Sequence, residues 1–191
     1  MADTTRGPGR RLPPGSHGIP ADLVARNQRE RLVAAMAEEC AGAGYAEATV
    51  AAVAKRAGVS SLTFYKQFED KRACMLAAHG ELLGRLLEAV DGAPGKEAAA
   101  PSAVLRTALA IFAADPPSAR LLTVEILAAG PQGVERHDAM AAAFAERLGC
   151  DWVPAAGLLA LVGKLAVAGE AQRLPELEDE LAGTLSSHNM H

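Results

Sequence analysis

The chain has 191 residues, enough for one domain or two small ones; half are apolar, only 4% are aromatic, and the formal net charge is −4. That acidic balance argues against a protein coated in phosphate-binding charge, but the charge is unevenly placed. Residues 1–79 carry 11 Lys/Arg against 8 Asp/Glu, and residues 80–191 carry 8 against 15, so a cationic front precedes an anionic rear. Abundant Ala with few aromatics favours helices.

Residues 1–20, rich in Gly, Pro, Arg and Ser, cannot sustain a helix and read as a flexible arm. Arg10 and Arg11 make it either a minor-groove arm or an ordinary tail. The first helix is expected from Asp22, as N-cap, to about Ala41, with Leu32, Val33, Met36 and Ala37 on one face and Gly42 and Gly44 at its end. Arg26 and Arg29 near its start are open to either phosphate or solvent. Tyr45 should pack back on the core.

Thr49 to Lys71, TVAAVAKRAGVSSLTFYKQFEDK, is the organising stretch. Val50, Val53, Ala54 and Ala57 repeat at helical spacing, Gly58 breaks the pattern as a turn with positive φ demands, and Ser60 or Ser61 can cap a second short helix. That helix puts Phe64 and Phe68 inside. Outside it presents Ser61, Leu62, Thr63, Tyr65 and Lys66, side chains able to reach base edges or phosphates on a helix slim enough for the major groove. By spacing alone the corner serves DNA or a protein partner equally.

The order of these features resembles the N-terminal domain of the tetracycline-repressor (TetR) family of transcriptional regulators. Residues 29–80 carry the resemblance: the first helix, Gly44–Tyr45, Thr49–Val50, the Lys55-Arg56-Ala57-Gly58-Val59-Ser60 turn, Thr63-Phe64-Tyr65, Phe68 and Asp70–Lys71. The chain departs at Leu62, where many members have a small residue, and at Ala48, where a second Thr is frequent. The resemblance implies a helix-turn-helix head over residues 21–69, with DNA contacts at Thr49, Ser60, Ser61, Leu62, Thr63, Tyr65, Lys66 and Lys71. Thr49 would both cap its helix and donate to a phosphate. Lys71, at a helix start, would join its ammonium to the N-terminal dipole to attract an anion.

A fourth helix of about 20 residues, Asp70 to Val90, is long enough to join the head to a body over residues 70–191. It carries His79, a core or hinge histidine by preference over a ligand contact. Asp91-Gly92-Ala93-Pro94-Gly95 ends it. Five more helices are expected: Ser102–Ala114 and Ser118–Ala129, each capped by its serine; Gln132–Leu148, stopped by Gly149; Pro154–Gln172; and Pro175–Leu185. The fold is thus all-α, with about nine helices. His188 and His191 in the tail are weak evidence for a metal.

Apolar residues cover more faces of the last two helices than one chain can bury, so a homodimeric four-helix bundle is expected through Leu158, Leu161, Val162, Leu165, Leu177, Leu181 and Leu185, with Gly157 and Gly163 permitting close approach. By resemblance, an unidentified small-molecule effector would bind between the fourth helix and the next three. Its lining would come from Leu83, Arg106, Phe112, Leu122, Glu125, Ile126, Met140 and Phe144, with Trp152 nearby and Arg106 or Glu125 as a polar anchor. The resemblance also makes repression the expected mode.

Other classes find no support. There is no GxSxG, HExxH, P-loop or Gly-rich dinucleotide loop, so an enzyme is not expected, nor any cofactor or metal. Cys40, Cys74 and Cys150, odd in number and far apart, read as reduced thiols of a cytoplasmic protein. The apolar stretch Trp152 to Gly169 is short and holds Lys164, so it reads as a core helix and not a membrane span.

Overall fold

A computed structural model describes residues 20–92 and 100–187. The arm with Arg10, Arg11 and His17, the end of the linker after Gly92, and the tail with His188 and His191 lie outside the described residues.

Among the described residues there are nine α-helices, two stretches of 3₁₀ helix and no strand: α1 (Ala21–Ala43), α2 (Val50–Arg56), α3 (Ser61–Gln67), α4 (Lys71–Asp91), α5 (Pro101–Ala114), α6 (Pro116–Thr123), a 3₁₀ segment (Glu125–Ala129), α7 (Pro131–Leu148), α8 (Trp152–Ala168), a second 3₁₀ segment (Ala171–Leu177) and α9 (Glu178–Ser187). None of the described helices is by itself long and apolar enough to cross a membrane.

Local chemistry sets most boundaries. Thr49 caps α2 by accepting from Ala52 N at 3.1 Å, Ser60 caps α3 by accepting from Thr63 N at 3.1 Å, and Asp70 caps α4 by accepting from Ala73 N at 2.6 Å. The turn between α2 and α3 needs Gly58 at φ +65°, a conformation that costs a side-chain-bearing residue. Five ends differ from the periodicity. Asp22 lies inside the first turn of α1, whose N-cap is Pro20. Ser102 does not cap α5; the helix starts one residue earlier because Pro101 fits the first turn, where its missing N–H is harmless. Asp115, not Ser118, caps α6, one oxygen accepting from Ser118 N at 3.2 Å and the other from Ser118 Oγ at 2.6 Å. Helix α6 stops at Thr123, whose hydroxyl donates to Ala119 O at 2.7 Å, a back-bond that bends helices. Likewise Pro175 sits within 3₁₀ helix, and α9 begins at Glu178.

Buried residues form two clusters. The head cluster joins Leu32, Val33, Met36, Val53, Ala54, Phe64 and Phe68 to the first turns of α4 (Cys74, Met75, Ala78), and it also takes in Leu121, Ile126 and Ala129 from beyond α5. The body cluster contains Leu86 and Val90 of α4 and the apolar faces of α5 to α9. Helix α4 runs through both, about 30 Å at 1.5 Å per residue. Cys40 and Cys74 lie in the head core, where burial pushes each thiol up to about 12, so both stay protonated and unreactive.

Helix α8 is apolar almost all round, and its two internal glycines face different ways. A Cβ at Gly163 would come within 2.7 Å of Val124 Cγ2 and 2.9 Å of Thr123 Oγ1, so this glycine lets α8 press on α6 within the chain. A Cβ at Gly157 would meet nothing within 4 Å.

Candidate nucleic-acid interface

Helix α3 is fixed from behind and open in front. Phe64 is fully buried, packs on Phe68 with ring centroids 5.6 Å apart, and meets Tyr65 edge-on at 5.5 Å. Residues at helical spacing on the other side, Ser61, Leu62, Tyr65 and Lys66, are exposed. Leu62 is 69% and Tyr65 57% exposed. Thr63 is half-buried beside Ser60, with their hydroxyl oxygens 3.0 Å apart. Because Ser60 Oγ already accepts from Thr63 N, this pair uses one of its two hydroxyl protons internally and leaves the other for an outside acceptor. Thr49 is exposed at the start of α2, and its cap uses only an oxygen lone pair, so its proton too can be donated outward.

Lys71 is turned away from the phosphate role that the resemblance implies. Its ammonium donates to three backbone carbonyls, Tyr45 O at 2.8 Å, Ala48 O at 2.9 Å and Ala46 O at 3.2 Å, and lies 4.4 Å from the centre of the Tyr45 ring. Three N–H groups with three acceptors leave none for a phosphate. Lys71 is a clamp on the loop between α1 and α2. Arg29 is engaged within the chain: it pairs with Glu81 at 2.7 Å and stacks over Phe68 at 4.5 Å. Arg26 remains exposed.

The expected effector lining does not come together as one site. Phe112, Met140 and Phe144 are fully buried and packed, with the two rings 6.3 Å apart, and Leu122 is buried beside them while Leu83 lies at the edge of that cluster. Ile126 belongs to the head cluster. Arg106 points outward and pairs with Glu178 at 2.9 Å, because its helix turns the opposite face to the core. Glu125 is buried, yet it serves the junction of head and body, holding Arg120 and the backbone of Tyr45. Trp152 is exposed at the start of α8. A cavity of about 240 Å³ does exist, but it is lined by Pro101, Ser102, Leu105, Leu148, Ala182 and Leu185, none of them among the expected residues.

The expected dimer residues also divide. Leu158, Val162, Leu165 and Leu185 are buried within the chain, where the body cluster already occupies them; Leu161, Leu177 and Leu181 are half-buried at its edge. Apart from its end residues Trp152 and Ala168, α8 leaves exposed a narrower stripe at helical spacing: Val153, Gly157, Ala160, Lys164 and Val167, flanked by Leu161. Spacing could have separated the two faces only with knowledge of which neighbours cover α8.

Residues 32–78 match the family model of bacterial regulatory proteins of the tetR family. Over its head, the chain matches the TetR family. The matched residues span the end of α1, the α2–Gly58–α3 corner and the first turns of α4, which in this family form a DNA-binding helix-turn-helix. The TetR-family fold extends over the body as well. The chain resembles the fatty acid degradation regulator FadR from Bacillus subtilis, solved with stearoyl-CoA, at 19% identity and a TM-score of 0.64, covering 84% of this chain and 98% of that one. It also resembles a TetR-family regulator from Rhodococcus sp. at 18% identity and a TM-score of 0.65, covering 85% and 98%, and a transcriptional regulator from Rhodococcus sp. Rha1 at 23% identity and a TM-score of 0.59, covering 85% and 98%. No curated protein sequence matches the chain.

Proposed function

We propose that this TetR-family regulator is a homodimeric repressor that binds an inverted-repeat operator in the cytoplasm and is released by a small molecule. The observation that carries this reading is the asymmetry of α3: Phe64 anchors one side in the core while Ser61, Leu62, Tyr65 and Lys66 stand free on the other. A helix held this way can enter a major groove without unfolding its support. In this reading Thr49, Tyr65 and Lys66 contact phosphates and fix register, and Ser61, Leu62 and Thr63 meet base edges. Residues 21–69 are the reading head, and residues 70–191 the dimerising and effector-binding body.

Dimerisation runs through the exposed stripe of α8. Gly157 and Ala160 let two copies of the helix approach closely, and Val153, Leu161 and Val167 supply apolar area around them. A two-fold axis there sets the two α3 helices about one DNA turn, or a multiple, apart.

The effector acts by population shift, favouring one spacing of the heads by its difference in affinity, typically about 1–3 kcal/mol. Leu83, Phe112, Leu122, Met140 and Phe144 close the body core, so an apolar ligand would bind by separating α5 from α7. The stearoyl-CoA bound to the Bacillus subtilis relative makes long-chain acyl thioesters the first class to test.

The test is selection of DNA duplexes from a random library by the full chain. The proposal expects a recovered motif with two-fold symmetry. Recovery of no preferred duplex would refute it.

A further inference from the structure

Four side chains form the open face of α3, and only Leu62 among them lacks a hydrogen-bonding atom. Ser61 carries a hydroxyl, Tyr65 a phenol and Lys66 an ammonium. Each can be satisfied by several atoms of a base edge or by a phosphate oxygen. Leu62, in the first turn of α3 and 69% exposed, can be satisfied by none of them. Once α3 is in a groove, Leu62 loses its water and faces a base edge. A base donor or acceptor placed against it would lose its own hydrogen bond to water and gain nothing, a cost that disfavours such a base. The major-groove edge offers one apolar group, the C5-methyl of a pyrimidine.

We infer that Leu62 is a specificity-determining residue that reads a pyrimidine C5-methyl group, in an operator whose half-sites each place a thymine opposite the start of α3. The inference rests on the proposed DNA-binding function and deepens it. The neighbouring hydroxyls reinforce the selection. The Ser60–Thr63 pair spends one proton internally, so polar readout beside Leu62 is reduced and the apolar contact carries more of the discrimination. Thymine and 5-methylcytosine present the same methyl group, and the experiment separates them.

The duplex selected by the full chain is resynthesised with each thymine in turn replaced by uracil, which removes the methyl group and leaves every hydrogen-bonding atom. A second set carries 5-methylcytosine at each cytosine. Binding is measured for the wild type, Leu62→Ala and Leu62→Ser. The expected result is one symmetry-related position at which uracil weakens wild-type binding about fourfold per half-site, the equivalent of one buried methyl group, with no loss for either variant. A gain at one 5-methylcytosine, again confined to the wild type, would assign the same contact to that base. If uracil is tolerated throughout, or costs the wild type and both variants equally, Leu62 does not read the methyl group while DNA binding stands. If no duplex is selected, both readings fall together.

Discussion

Glu125 joins Arg120 to Tyr45. One carboxylate oxygen accepts from Arg120 Nε at 2.8 Å and the other from the backbone N–H of Tyr45 at 2.7 Å, while Arg120 Nη1 reaches Ala41 O at 2.6 Å. Arg120 lies on α6 and Tyr45 follows α1, so this ion pair ties the body to the head. The loop it grips is held from the other side by Lys71 at the start of α4. A shift of α6 therefore reaches the α1–α2 loop directly as well as through α4.

Replacing Glu125 by Ala strips the acceptor from the Tyr45 N–H and leaves Arg120 partly buried with one carbonyl. The expected loss is about 3–5 kcal/mol, as for breaking one side of a buried pair. Glu125→Gln keeps an acceptor for Tyr45 and should lose less. Denaturant unfolding of both variants checks the order; equal stability of the two would show that the charge contributes nothing here.

Lys71→Met should lower stability by about 1–3 kcal/mol through the carbonyls it abandons. The salt dependence of DNA binding should stay unchanged in this variant, since the Lys71 ammonium touches no phosphate. A shallower salt slope would restore Lys71 to the DNA interface.

His79 is buried on α4, and burial, with Arg136 and His137 nearby, lowers its pKa from 6.5 to about 4. The folded chain therefore holds it neutral where the unfolded chain protonates it. Its contribution is fully present above pH 6.5. It fades as the pH falls and is gone below about 4, a total of roughly 3 kcal/mol at about 1.4 kcal/mol per unit. His79→Leu should flatten stability across this window. A wild-type curve already flat there would contradict the assignment.

The two glycines of α8 should separate by substitution. Gly163→Ala places a methyl group against Val124 and Thr123 and should cost about 1–3 kcal/mol. Gly157→Ala meets open space and should gain up to about 1 kcal/mol of helix propensity in the monomer. Ala160→Arg should leave the helical circular dichroism intact and turn the dimer into a monomer in sedimentation. A variant that still sediments as a dimer would move the interface off α8.

The sequence was most informative where one residue decides one local event. Thr49 and Ser60 each cap the helix after them, and Gly44, Gly58 and Gly149 each adopt positive φ where a helix ends. It was least informative where the neighbour decides. Leu158 and Val162 look like any exposed leucine and valine of a dimer seam until α5 to α7 are seen to cover them. Arg106 and Glu125 each sit among apolar residues, yet Arg106 faces solvent and Glu125 the junction with the head. Three-residue offsets such as Asp115 to Ser118 also mislead, because either partner can be taken as the cap.

The account depends most on α3 meeting phosphates and bases with its open face. The direct measurement is the affinity of the selected duplex as a function of salt, for the wild type, Lys66→Ala and Tyr65→Phe. Affinity should fall steeply as salt rises, and Lys66→Ala should reduce the logarithmic slope by about 0.9 for each phosphate that Lys66 neutralises. Tyr65→Phe should weaken all duplexes alike. Affinity that ignores salt, or a Lys66→Ala slope equal to that of the wild type together with unaltered binding by Tyr65→Phe, would contradict it.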